Sequence, residues 1–188
     1  MSFLDESNEW RRGQVASWRH LATAAIVRWV GIDENIGGDE EMVFLDASDQ
    51  FRQLARLRVE LESGASLEIR TYGNDDVWGL SLDPRDRAPF GLATWYRDSD
   101  LSDLPTGRIQ HLELHFDARE GADGDLIEAE LTVEGRRVLL VAAEVIPNWG
   151  GADICWAEEC VFVFSDPDVA DAINWRPSRH YTAVSISG

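Results

Sequence analysis

The sequence has no lysine and only two cysteines. All 17 basic side chains are therefore arginine, and 35 acidic side chains oppose them, which gives a formal net charge of −18. A charge of this size repels the phosphates of nucleic acids and anionic membrane surfaces at long range. We therefore expect neither as a partner, and the charge favours a basic protein instead.

Long apolar runs are also missing. No run reaches the roughly 18 apolar residues of a membrane span, and no N-terminal stretch has the pattern of a secretion signal. Cys155 and Cys160 are five residues apart in one predicted strand, so they would point to opposite faces and could not form a disulfide without distorting it. We expect two reduced thiols, no membrane segment and a cytoplasmic location.

The motifs that identify common enzyme classes are absent too. The sequence has no G-x-S-x-G, no phosphate-binding loop, no dinucleotide fingerprint and no H-E-x-x-H. With 35 carboxylates, some pair must lie close in space, so a nearby pair says nothing about glycosidase chemistry. We therefore predict a binding protein with no catalytic residue and no cofactor.

A sheet is predicted around residues 126–164. Residues 126–133 alternate apolar and polar side chains, as a half-buried strand does. Residues 138–143 are continuously apolar, which suits a strand covered on both faces, so this strand is predicted to be the centre of the sheet. Residues 155–164 form a further apolar run, predicted to be one strand.

The whole chain, residues 1–188, is predicted to be a single α+β domain with a mostly antiparallel sheet of seven or eight strands. Apolar residues from Val15 to Trp29 recur at spacings of three and four, which predicts an N-terminal amphipathic helix after a loose end before Trp10. Its β-branched end, residues 26–30, also suits a strand. Asp166 and Pro167 predict the cap and first position of a short C-terminal helix. The other strands are predicted within residues 42–45, 57–61, 67–69, 78–82 and 109–116, and the tail could add an edge strand at residues 181–186.

Acidic residues are concentrated in two segments that contain no basic residue. Residues 31–50 and 144–175 each carry seven carboxylates. Residues 90–105 form a long irregular segment, which is typical of a binding loop. Aromatic anchors within an acidic rim would suit a basic protein partner. The residues predicted to contact this partner are Trp95, Asp98, Asp100, Asp103, Asp39, Glu40, Glu41, Glu158 and Glu159.

A second candidate site lies on one predicted strand. His111, Glu113, His115 and Asp117 occupy alternate positions, so a strand would place them on one face at intervals of about 7 Å. These side chains could bind a metal or act as acid and base, although a solvent-facing strand has the same pattern. An alternative function is therefore a metal-dependent enzyme or small-ligand-binding protein that uses His111, Glu113 and His115. A further alternative is an accessory subunit of a larger assembly.

Small size, strong acidity, eight tryptophans and the missing catalytic motifs together resemble the bacterial immunity proteins that neutralise secreted toxins, including those of contact-dependent inhibition systems. The resemblance covers the composition of the whole chain and transfers no individual residue. It implies a tight complex with a cationic toxin domain, often a nuclease, whose phosphate-binding groove attracts acidic side chains.

Overall fold

A computed structural model describes residues 3–34, 51–74, 77–84, 96–117, 124–148 and 151–187. The two helices are α1, Phe3–Ala22, and α2, Pro167–Ala172. The strands are β1 Ala25–Glu34, β2 Arg52–Leu54, β3 Arg56–Leu61, β4 Ser66–Asn74, β5 Val77–Pro84, β6 Tyr96–Asp100, β7 Gly107–Asp117, β8 Leu126–Val133, β9 Arg136–Asn148, β10 Gly151–Trp156, β11 Cys160–Phe164, β12 Trp175–Arg176 and β13 Tyr181–Ser187.

The α+β class and the mostly antiparallel sheet are confirmed, whereas the predicted number of strands is wrong. The described residues form a 13-stranded sheet, not one of seven or eight strands. Strands β2 and β12 have only three and two residues, which is too short for a period-two pattern to stand out, and β6, with the sequence YRDSD, has no aliphatic residue to alternate with polar ones. The predicted strand in residues 42–45 lies outside the described residues.

The N-terminal helix is shifted relative to its prediction. It begins at Phe3, so the expected loose end is helical, and it ends at Ala22. Residues 26–30 belong to β1, where β-branched side chains are less crowded than in a helix. Trp29 is nevertheless buried, and its indole Nε1 donates a hydrogen bond to the carbonyl of Pro105 at 2.7 Å.

The long strand β9 is central to its half of the sheet, as predicted. It pairs with β8 along one edge, and with β11 and then β10 along the other. The sheet continues from β8 to β7, and β7 then meets β1 at Gly107 and Arg108. Strand β1 leads into the β3, β4 and β5 meander, which confirms the hairpin and third strand predicted there.

The predicted single strand in residues 155–164 is wrong because the chain breaks at Ala157. This residue has φ 63°, outside the extended region, and both its N–H and that of Glu158 donate to the carbonyl of Ala142. The break separates β10 from β11, so Cys155 and Cys160 lie on different strands.

The two halves of the sheet pack on each other around one apolar core. Strand β5 contacts both β8 and β9, and the phenol of Tyr72 donates to Asp125 Oδ1 at 2.8 Å. Helix α1 adds Trp18 and Leu21, both completely buried. Among the described helices, none combines the length and apolar character needed to cross a membrane.

Two glycines give a test of this packing. A Cβ at Gly124 would lie 2.0 Å from the backbone oxygen of Asp117, whereas a Cβ at Gly13 in α1 would meet nothing within 4 Å. We expect Gly124→Ala to lower the free energy of unfolding by at least about 2 kcal/mol, because a backbone segment must move. Gly13→Ala should raise it by up to about 1 kcal/mol. Urea unfolding measures both, and equal effects would contradict the packing at Gly124.

Candidate functional site

The predicted acidic residues on and after β6 are paired with arginines. The pairs are Arg58 with Asp98 at 2.5 Å, Arg28 with Asp100 at 3.1 Å, and Arg52 with Asp103 at 2.9 Å. Arg58 is largely buried, with 7% of its side chain exposed, so Asp98 compensates a charge that has little water around it. Three carboxylates and three guanidinium groups give this surface a balanced charge.

Of the other predicted contact residues, only Glu158 and Glu159 lie among the described residues. Both sit on the turn between β10 and β11 that begins at Ala157. The carbonyl of Glu159 accepts a hydrogen bond from the Thr71 hydroxyl, which ties this turn to β4 in the other half of the sheet. Trp95, Asp39, Glu40 and Glu41 lie outside the described residues.

The strand register brings two further carboxylates to the same surface. Cys155 on β10 lies opposite Glu144 on β9, and Asp153 lies opposite Ile146. Directly opposed residues of an antiparallel pair point to the same side of the sheet, so all four side chains share one face. We call the surface formed by Glu144, Asp153, Glu158 and Glu159 around Ile146 and Cys155 the acidic patch.

Three carboxylates of the acidic patch act on the thiol of Cys155. Burial raises its pKa, and the charges of Glu158, Asp153 and Glu144 raise it further, while Arg176 opposes them. Burial also raises the pKa of Glu158, with added repulsion from Glu159. A high thiol pKa disfavours the nucleophilic thiolate, so the acidic patch does not activate Cys155.

The acidic patch brings carboxylates close to one another, whereas those of the β6 surface are each paired with an arginine. Among the described residues, Arg176 pairs with Asp153 at 3.0 Å, and Glu158 and Glu159 repel each other. Ile146 adds an apolar side chain that is 39% exposed. Glu144 and Asp153 were missed at the sequence level, although the two apolar runs around residues 147–151 have the pattern of a hairpin that pairs them.

The alternative site on β7 is divided between an exposed end and a buried end. Glu113 lies between the two imidazoles, with Oε2 3.7 Å from His111 Nε2 and Oε1 3.9 Å from His115 Nε2. His111 and Glu113 are partly exposed, whereas His115 and Asp117 are buried. The described residues contain no group of three or more His, Cys, Asp or Glu side chains arranged to hold a metal ion.

His115 is buried because the C-terminal segment covers it. The ring of Tyr181 packs on the imidazole edge to face, with 4.4 Å between ring centroids. Glu128 Oε2 lies 3.8 Å from His115 Nδ1, and neither imidazole nitrogen has a hydrogen-bond partner among the described residues. A solvent-facing strand was one of the two interpretations of this pattern, and at His115 it is wrong.

The completely buried Glu128 is held by a network that the sequence did not indicate. Arg179 Nε and Nη2 donate to its two carboxylate oxygens at 2.7 and 2.6 Å, and the indole of Trp156 donates to Oε1 at 2.8 Å. Burial lowers the pKa of Arg179, but its hydrogen bonds and charge interaction with Glu128 outweigh this and raise it overall. Asp171 in α2 binds the same guanidinium group at 2.8 Å.

This network closes the His115 end of the β7 face to a ligand. The Arg179 guanidinium also lies over the rings of Trp175 and Tyr181, at 5.8 and 5.4 Å from their centroids. Ionic, aromatic and hydrogen-bonding contacts therefore fill the space above Glu128. The arrangement holds the C-terminal segment on the sheet and leaves His115 inaccessible to a substrate.

Comparison with protein-family models, with curated proteins and with solved structures found no match for this chain.

The buried imidazole predicts a dependence of stability on pH. Burial lowers the pKa of His115 in the folded protein, and the charges of Glu128 and Glu113 only partly oppose this. The unfolded chain therefore binds a proton at higher pH than the folded one, so the free energy of unfolding falls as the pH falls from about 7 to 5. His115→Phe should reduce this slope in urea unfolding measured across the range.

His111→Phe is the matched control, because it removes a partly exposed imidazole from the same strand. His111→Phe should leave unchanged the contribution of His115 to the pH dependence of the free energy of unfolding. A His115→Phe protein with the slope of the unsubstituted protein would show that His115 is not held neutral by burial.

Proposed function

We propose that this protein binds a basic protein partner through the acidic patch, as an immunity protein that neutralises a cationic toxin domain of the nuclease type. The observation that carries the proposal is the local charge: Glu144, Asp153 and Glu158 lie close enough to act together on the Cys155 thiol, and Glu158 repels Glu159, on a surface that also exposes Ile146. Steric access supports it too, because Glu159 is exposed and Glu144, Asp153 and Glu158 are partly exposed.

A basic groove would attract the acidic patch for the same electrostatic reason that it attracts a nucleic acid. Carboxylates at the patch would occupy the positions of phosphates in a groove lined by arginine and lysine. A net charge of −18 attracts such a groove from a distance and speeds the encounter. Blocking the groove then excludes the nucleic acid, so inhibition requires no chemistry by this protein.

The β6 surface has a secondary role in this proposal. The Arg28–Asp100 and Arg52–Asp103 pairs are exposed, and an exposed pair contributes only about 0 to 1 kcal/mol. An incoming arginine could replace Arg28 or Arg52 at low cost, but the exchange adds no net attraction. Trp95, Asp39, Glu40 and Glu41 remain predicted contact residues.

The enzyme or small-ligand alternative has less support. Burial of His115 and the network above Glu128 separate His115 from the exposed His111 and Glu113, so the three side chains do not form one open site. Sequence composition does not separate an immunity protein from an accessory subunit. The two differ in what the partner does, because only a toxin partner loses activity when it is bound.

The test is capture of partners from a lysate of the source cells by the tagged protein, followed by an activity assay of what is captured. We expect a basic protein in stoichiometric amount, released as salt increases, whose nuclease activity stops on adding one equivalent of this protein. A variant with Glu144→Gln, Asp153→Asn, Glu158→Gln and Glu159→Gln should bind it at least about tenfold more weakly.

The control variant carries Asp100→Asn, Asp103→Asn, Asp168→Asn and Glu62→Gln, all at exposed positions outside the acidic patch. It also loses four negative charges, so both variants have the same net charge and differ only in where it changes. It should retain most of the affinity. Equal losses in the two variants would show that overall charge, and not the acidic patch, determines binding. A captured partner that is not basic, or is unaffected by binding, would contradict the immunity proposal itself.

A further inference from the structure

Strand β13 forms an edge of the sheet, and its side chains are unusually exposed to solvent. Among the described strands it pairs only with β7. Every residue from Tyr181 to Ser185 is exposed, so the strand is exposed on both faces over this stretch, although α1 lies near it. Only Ile186 packs against the core.

The other described edges of the sheet are protected. The N–H of Leu82 on β5 donates to Gln14 Oε1 of α1 at 2.7 Å, and the N–H of Trp78 donates to the carbonyl of Ala157. Strand β6 carries Arg97, Asp98 and Asp100. Strands β2 and β12 have only three and two residues. Covering, charge and shortness are the usual means by which proteins prevent one edge strand from pairing with another.

Strand β13 has none of these protections. It is seven residues long, and its sequence YTAVSIS contains no charged residue and no proline. Tyr181 and Val184 are 39% and 40% exposed, which makes them two of the largest exposed apolar side chains of the described residues. An uncharged, exposed edge strand of this length is a ready template for another strand.

We propose that β13 pairs with β13 of a second copy of this chain, in an antiparallel arrangement about a two-fold axis at Val184. Val184 is the middle residue of the seven, so this register aligns the whole strand with its symmetry mate. A two-fold interface must be complementary to itself, and a strand without charges brings no like charges opposite each other. The pairing extends the sheet of each copy across the dimer.

The acidity of the rest of the chain determines how this dimer responds to salt. Each copy carries −18, so the two copies repel one another at long range, and added salt screens the repulsion. Dimerisation therefore strengthens as salt increases. This trend is opposite to that expected for a basic partner, so the two proposals are independent and their failures can be told apart.

The test is sedimentation equilibrium of the full chain over a concentration series at low and high NaCl. We expect the mass to rise with concentration from 21.1 kDa towards twice that value, and to do so at lower concentration in high salt. Val184→Lys places two like charges together at the two-fold axis and should raise the dissociation constant at least about tenfold.

Val27→Lys is the matched control. Val27 is a 53% exposed valine on β1, so the substitution makes the same chemical and charge change away from β13. It should leave the dissociation constant unchanged within about twofold, and circular dichroism should show that both variants are folded.

Disulfide formation at position 184 tests the same interface without an added charge, so the test does not depend on Val184→Lys being folded. In a Cys155→Ser, Cys160→Ser background, Val184→Cys should form a disulfide between two copies on mild oxidation, because the axis places the two side chains opposite each other. Val27→Cys should not. A chain that stays monomeric at high salt would overturn the proposal. So would a dimer that both lysine variants weaken equally, or that neither weakens.

Discussion

The buried charge of Glu128 is the constraint on which the C-terminal part of the structure depends. A carboxylate without access to water is tolerated only when other charges and hydrogen bonds replace its hydration, and Arg179 and Trp156 do this here. Because Arg179 follows β12 and precedes β13, satisfying Glu128 fixes the path of the chain between these strands. The same path places Tyr181 on His115 and leaves the outer edge of β13 exposed.

The distribution of ion pairs determines where the strong negative charge can act. Around β6 each carboxylate has an arginine partner, and in the interior Glu128 has Arg179. The acidic patch differs because its carboxylates act on one another: Glu144, Asp153 and Glu158 all raise the pKa of the Cys155 thiol, and Glu159 repels Glu158. The net charge of the chain does not distinguish the acidic patch from the β6 surface. The acidic patch and the uncharged edge of β13 thus offer two different surfaces, one suited to a basic protein and the other to an identical strand.

Local patterns predicted those elements whose residues alternate or form long apolar runs. Strands β8 and β9, the β3 to β5 meander and the Asp166 cap of α2 were all recognisable from sequence. The end of α1 was misplaced because residues 26–30 continue a helical spacing while their β-branched side chains favour the strand they form. The burial of Glu128 and His115 could not be predicted, because both occupy polar positions of alternating strands and are covered by a segment some 50 to 65 residues later in the chain.

The Glu128 and Arg179 pair holds the C-terminal segment on the sheet. Losing one partner of a buried pair typically costs about 3 to 5 kcal/mol. The most direct measurement is amide hydrogen exchange in Arg179→Met, with Arg176→Met as the control from an exposed pair in the same segment. We predict that Arg179→Met loses protection in β13 and in the paired part of β7, while Arg176→Met keeps it. Protection of β13 in Arg179→Met equal to that of the unsubstituted chain would contradict the claim.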